Sequence, residues 1–181
     1  MGLAAAVRLS VPTAADMRAL GHDLARLSRP GDLIVLIGEL GAGKTQLAQG
    51  IGQGLNVAGA VISPSFVLSR HHRPHGDGPG LVHVDAYRLT SREEIDDLDL
   101  EPEMANAVTV VEWGDGLAEQ LGDDRLEVTI ERSPRLDDET RQVSVTPIGA
   151  RWANLIADWE RIVNEDMGRD ARSDRLGVAD D

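Results

Sequence analysis

Asp32-Leu33-Ile34-Val35-Leu36-Ile37-Gly38-Glu39-Leu40-Gly41-Ala42-Gly43-Lys44-Thr45 is the stretch on which the fold of this chain turns. Its first six residues follow a Pro30-Gly31 turn and form an apolar run, as expected of a strand buried on both faces and therefore of a parallel sheet. Its last eight fit G-x-x-x-x-G-K-[ST]. Gly38, Gly41 and Gly43 let the backbone wrap closely around phosphates and point N–H groups at them from a helix N-terminus, while Glu39, Leu40 and Ala42 fill the variable positions. From Lys44 to about Gly54, Leu47, Ala48 and Ile51 recur on one side at helical spacing. Strand, glycine loop and helix together predict a phosphate-binding loop, with Lys44 on the β- and γ-phosphates and the Thr45 hydroxyl on Mg²⁺. Lys44 is also the sole lysine of a chain whose other cationic side chains are arginine. Arginine is too wide and planar to serve as the compact charge such a loop encloses, so the exception marks a functional demand.

Working outward, Arg8 to Val11 reads as a short strand, and Thr13-Ala14-Ala15-Asp16 as a capping box opening a helix that runs to about Ser28. Phe66-Val67-Leu68 reads as a short extended run, and His71 to Gly80 as a glycine- and proline-rich mobile connection. Its His71, His72 and His75 lack the further ligand cluster a metal site would need. Leu81 to Asp85 and Ala107 to Glu112 are further buried strands, separated by a helix that starts at the Ser91-Arg92-Glu93-Glu94 capping box. Arg125 to Glu131 and Arg141 to Val145 alternate apolar and polar residues, predicting an antiparallel pair at one edge. Trp152, Leu155, Ile156, Trp159 and Ile162 predict a C-terminal helix. The expected fold is α/β: a three-layer nucleotide-binding domain at residues 1–166, with a mostly parallel central sheet, an antiparallel edge and a C-terminal helix. Residues 167–181 read as a disordered acidic tail.

Two buried runs end in a carboxylate, Asp85 and Glu112, and both emerge at the sheet edge where the phosphate loop lies. One can serve magnesium and the other can orient or deprotonate an attacking water, which predicts triphosphate hydrolysis. Ser63-Pro64-Ser65 stands where nucleotide switches keep a γ-phosphate-sensing loop, a reading set against a simple turn. Trp113 can stack on a base or partner or fill the core, and Arg88 can neutralise transition-state charge or form a surface ion pair. No Asn-Lys-x-Asp occurs, so ATP is favoured over GTP. A small-molecule kinase and a nucleotide-gated binding module are the competing readings; against the kinase, Arg73 is the only arginine between His71 and Gly80 to equip a lid.

The formal charge of −13 argues against unaided binding of nucleic acid, which is gripped through clustered lysine and arginine. The acidic residues around Glu93 to Glu103 read as a solvated helix face. The absence of cysteine excludes disulfides and thiolate chemistry, and no run approaches the length of a membrane span. A cytoplasmic location is expected.

Taken together, the phosphate loop at 38–45, Ser-Pro-Ser-Phe at 63–66, His-Val-Asp-Ala-Tyr-Arg at 83–88 and Val-Glu-Trp at 111–113 resemble the TsaE (YjeE) family over roughly residues 10 to 150. Members are small P-loop ATPases needed to make N6-threonylcarbamoyladenosine in tRNAs that read codons beginning with A. The resemblance implies Lys44 on the phosphates, Thr45 and Glu112 on magnesium, Asp85 in catalysis or water positioning, and Ser63, Pro64, Ser65 and Phe66 as a switch-like loop. It draws His83, Tyr87 and Arg88 into the same motif. It implies action on a TsaB–TsaD heterodimer, with tRNA met only indirectly. Ser65 stands where the family usually has Thr, and keeps the hydroxyl. Met17 precedes Leu20-Gly21 where the family commonly has Thr, which leaves Thr13 as the candidate nucleotide contact in that segment.

Overall fold

The structure, a computed structural model, describes residues 6–64, 66–135, 137–156 and 159. The apolar run is the central strand β2 (Leu33–Ile37), and it leads through the glycine loop into α2 (Lys44–Gly54). Before it come β1 (Val7–Val11) and α1 (Ala14–Leu27), the latter opened by the full Thr13/Asp16 capping box. After it follow β3 (Ser69–His72), β4 (Gly80–Asp85), the short helices α3 (Arg92–Asp96) and α4 (Glu101–Met104), β5 (Ala107–Glu112), β6 (Arg125–Arg132) and β7 (Arg141–Ile148). A further helix begins at residue 150 and is described through 156.

The seven strands lie in the order β1-β7-β6-β2-β5-β4-β3. The four central strands, β6, β2, β5 and β4, are mutually parallel, and antiparallel strands close both edges. The β6–β7 pair forms as its alternation predicts, but β1 lies beyond it, so that edge is wider than the pair alone. Period-two alternation divides the core between two faces. Ile34 and Leu36 of β2 with Val108 and Val110 of β5 pack under α1, α2, Trp152 and Ile156. Leu33, Val35 and Val111 face Ile95, Leu100 and Met104 on the other side. Helices therefore cover both faces, giving three layers.

Beyond Pro64 the chain departs from its predicted course. The backbone N–H groups of Val67 and Leu68 both turn back to Pro64 O at 2.8 Å, Leu68 has φ +64°, and the strand begins only at Ser69. Phe66-Val67-Leu68 is thus a turn, and His71 and His72, expected in a loop, pair with Val82 and Leu81 in an edge strand. The three histidines diverge: His72 Nδ1 lies 3.3 Å from Ala58 O, His71 Nδ1 lies 3.7 Å from Glu103, and the His75 N–H donates to Asn56 O. Among the described residues no three His, Cys, Asp or Glu side chains gather to hold an ion, and no helix is long and apolar enough to cross a membrane. Ser65, Ile162 and the predicted tail at 167–181 lie outside the described residues.

The two helices over the site approach each other through small residues. A Cβ at Gly21 of α1 would meet Leu47 O at 2.3 Å, and one at Gly50 of α2 would meet Arg18 O at 2.1 Å. This contact presses α2, with Lys44 and Thr45 in its first turn, against the sheet.

Candidate functional site

Parallel pairing carries β2, β4 and β5 to the same end, and the register sets Leu36 beside Glu112 and Glu112 beside Asp85. The phosphate loop leaves β2 at this edge. Gly38 passes so close to β6 that a Cβ there would stand 2.5 Å from Ile130 O, and Gly43 caps α2 in a left-handed conformation at φ +116°. Loop and strand ends enclose a cavity of about 640 Å³. Leu40, Gly41, Gly43, Lys44, Thr45, Ser63, Phe66, Asp85, Tyr87, Arg88, Glu112 and Trp113 all line it. Residues predicted from four separated segments thus meet around one hollow.

Lys44 is only 4% exposed. Its Nζ donates to Gly38 O at 2.7 Å and Glu39 O at 2.9 Å, and stands 3.5 Å from the centroid of the Trp113 ring. Burial pulls its pKa below the ordinary lysine value, against the opposing attraction of Glu112 and then Asp85. The Thr45 hydroxyl donates toward Glu112, with both carboxylate oxygens at 3.0 Å. His83 Nε2 lies 2.8 Å from Glu112 Oε1. Asp85 is 4% exposed; its Oδ2 accepts from the Ser63 hydroxyl at 2.6 Å and its Oδ1 from the Tyr87 N–H at 3.1 Å. Oxygen donors alone, two buried carboxylates and a hydroxyl, suit a hard divalent cation such as magnesium rather than a softer metal.

Trp113 has φ +63°, a rare conformation for a bulky residue, and its N–H is held by Leu36 O at 3.0 Å. That turn brings the indole back over the loop, where Tyr87 packs on it at a ring distance of 4.9 Å. Arg88 lies 4.8 Å over the ring of Phe66, which is itself 87% exposed. Pro64 O anchors the Val67–Leu68 turn, and Ser63, just before it, donates to Asp85.

Thr13, Gly38, Glu39 and Ala42, with Pro64 and His83, stand apart from the cavity wall. The Thr13 hydroxyl is engaged with Asp16 Oδ2 at 2.6 Å in the helix cap. Glu39 and Gly38 line a neighbouring hollow of about 360 Å³ on the other side of Trp113. Ala42 is fully buried, and its carbonyl accepts from Arg141 Nε at 3.1 Å. That arginine props the loop from β7 across 99 positions of sequence, and no local pattern announces it. Gln46, also missed, lines the cavity and accepts from Arg18 of α1.

Fold and site together define an α/β protein of the phosphate-loop class, with two acidic strand ends facing the loop. The family model for the threonylcarbamoyl adenosine biosynthesis protein TsaE matches residues 11–143. The tRNA threonylcarbamoyladenosine biosynthesis protein TsaE of Streptomyces coelicolor is 55% identical over 139 residues, 76% of this chain and 94% of that relative. The protein of the same name from Bacillus subtilis is 33% identical over 148 residues, 81% and 89% of the two chains. The crystal structure of Bacillus subtilis YdiB matches with a TM-score of 0.71 at 27% identity, covering 89% of this chain and 98% of that one. This chain belongs to the TsaE family.

Proposed function

We propose that the protein is a magnesium-dependent ATPase that supports formation of N6-threonylcarbamoyladenosine in tRNA by driving a TsaB–TsaD complex through repeated turnovers. The observation that carries this reading is the contact of the Thr45 hydroxyl with both oxygens of Glu112, at the first turn of the loop's helix, with Asp85 in register beside it. Lys44 would exchange its two loop carbonyls for β- and γ-phosphate oxygens. Thr45 and Glu112 would hold magnesium, which when bound neutralises charge developing on the phosphates. Asp85, already accepting two hydrogen bonds, is fixed where it can orient or deprotonate water. Because Ser63 donates to Asp85, the same bond ties the Ser63 to Phe66 loop to the hydrolytic carboxylate, which suits a switch that reports the phosphate to a partner. ATP is the expected nucleotide. With a net charge of −13, the contact with tRNA would run through the partner complex in the cytoplasm.

The test is reconstitution: TsaB–TsaD, tRNA and threonylcarbamoyl-adenylate, with or without this protein and ATP. Many rounds of modification should require both, and Lys44→Ala, Asp85→Ala and Glu112→Ala should each fail to support them. Equal multiple-turnover modification without the protein would overturn the reading.

A further inference from the structure

We propose that His83 is a positioning residue: its hydrogen bond to Glu112 holds that carboxylate against Thr45, so that the site's affinity for magnesium depends on a ring that reaches neither metal nor nucleotide. The inference rests on the magnesium reading above and deepens it. His83 sits on β4 two residues before Asp85, and alternation turns Leu81, His83 and Asp85 to the face that α2 covers. The ring is 0% exposed. At such a place an aliphatic side chain would pack without cost, whereas a buried imidazole must recover its desolvation through hydrogen bonding. It does so at one end. Nε2 lies 2.8 Å from Glu112 Oε1, and Nδ1 has no partner among the described residues. A carboxylate only accepts, so Nε2 carries the hydrogen and donates it.

The need for such a donor follows from the surroundings of Glu112. Its side chain has several rotatable bonds, and it lies within the attraction of the buried Lys44 ammonium. Thr45 alone contacts the two oxygens equally, at 3.0 Å each, and so does not choose between them. The His83 bond takes Oε1, leaving Oε2 and the Thr45 oxygen as the donor pair. Freed from His83, Glu112 could turn its oxygens away from Thr45, and the metal would lose one of its two donors.

The experiment measures the magnesium concentration that half-saturates tight binding of a fluorescent, non-hydrolysable ATP analogue, alongside binding of the same analogue in EDTA. His83→Leu removes the donor. His83→Gln keeps a donating amide at about the reach of Nε2, and His83→Asn carries an amide too short to reach Glu112. Outer ligands of this kind are worth about 10- to 100-fold in metal affinity, and that is the expected rise in the midpoint for the Leu and Asn variants. The Gln variant should recover most of it, and binding in EDTA should be unchanged in all three. Should His83→Leu fail to fold, as judged by circular dichroism, the Asn and Gln pair decides alone. Equal midpoints in the Asn variant and the wild type, equal shifts in Asn and Gln, or a matching loss in EDTA would each overturn the inference. A wild-type protein that binds the analogue indifferently to magnesium would instead overturn the proposed function.

Discussion

Replacing Gly50 by alanine pits two effects of known size against each other. A glycine within a helix is about 1 kcal/mol less favourable than alanine, so on propensity alone Gly50→Ala should stabilise α2. The added methyl, however, would stand 2.1 Å from Arg18 O and 2.8 Å from Arg18 C and Cα. Carbon and carbonyl oxygen settle at about 3.3 Å or more, so the helices must part by about 1 Å. Every atom in the clash is main chain, and no rotamer change relieves it. Overpacking of this kind costs about 1–3 kcal/mol, and the reciprocal close approach at Gly21 places this case at the upper end. The net expectation is a loss of about 2 kcal/mol, which for a domain of this size lowers the melting temperature by about 4–8 °C. The displacement also lifts α2 from the sheet and stretches the 3.0 Å contact between Thr45 and Glu112. A thermal melt and a magnesium titration of nucleotide binding on the same variant read the two consequences. A raised melting temperature would refute the reasoning, because propensity would then have outweighed a main-chain collision.

Nucleotide affinity should fall as pH rises, beginning below the ordinary lysine pKa of 10.5, because burial lowers the Lys44 pKa and the neutral amine cannot hold phosphate. The stability of the nucleotide-free protein should move the other way: just below that pH the unfolded chain binds more protons than the folded one, so this group's contribution to stability rises with pH. Titrations and melts across the same buffers check both signs. Asp32→Ala removes the acceptor of Arg151 Nη2 and of the Arg29 N–H, each at 2.8 Å, from a position 5% exposed. Breaking a pair this buried should cost about 2–4 kcal/mol, softened because Arg151 keeps Leu27 O at 2.9 Å. The residue lies just before β2, away from the loop, so nucleotide binding by the remaining folded protein should be unchanged; a melt indistinguishable from wild type would contradict the buried-pair account.

Local pattern foretold what local physics decides. Leu33 to Ile37 is apolar throughout because both of its faces are covered, and Thr13/Asp16 and Ser91/Glu94 cap their helices with side chains three residues apart. Asp85 and Glu112 were legible as strand ends, and β-sheet register then set them side by side. What escaped was dictated from elsewhere. Ser69-Arg70-His71-His72 has no strand-like alternation of its own; it is extended because β4 offers it hydrogen bonds at the sheet edge. The link from Arg141 to Ala42 and the positive φ of Trp113 depend on how distant strands stack, and neither leaves a mark in neighbouring residues.

The solitary lysine has a practical meaning for anyone who handles this protein. Its chain carries one side-chain amine, and that amine is enclosed between the phosphate loop and an indole. Reagents that seek lysine, whether fluorescent esters, formaldehyde, an acetyl donor or a lysine-specific protease, find a single side-chain target, in the wall of the cavity. Their rate of reaction at Lys44 is therefore a direct gauge of how open that cavity is. A preparation coupled to a bead or sensor surface through its lysine is blocked at the one place where its behaviour is to be measured, and attachment through another group avoids that loss.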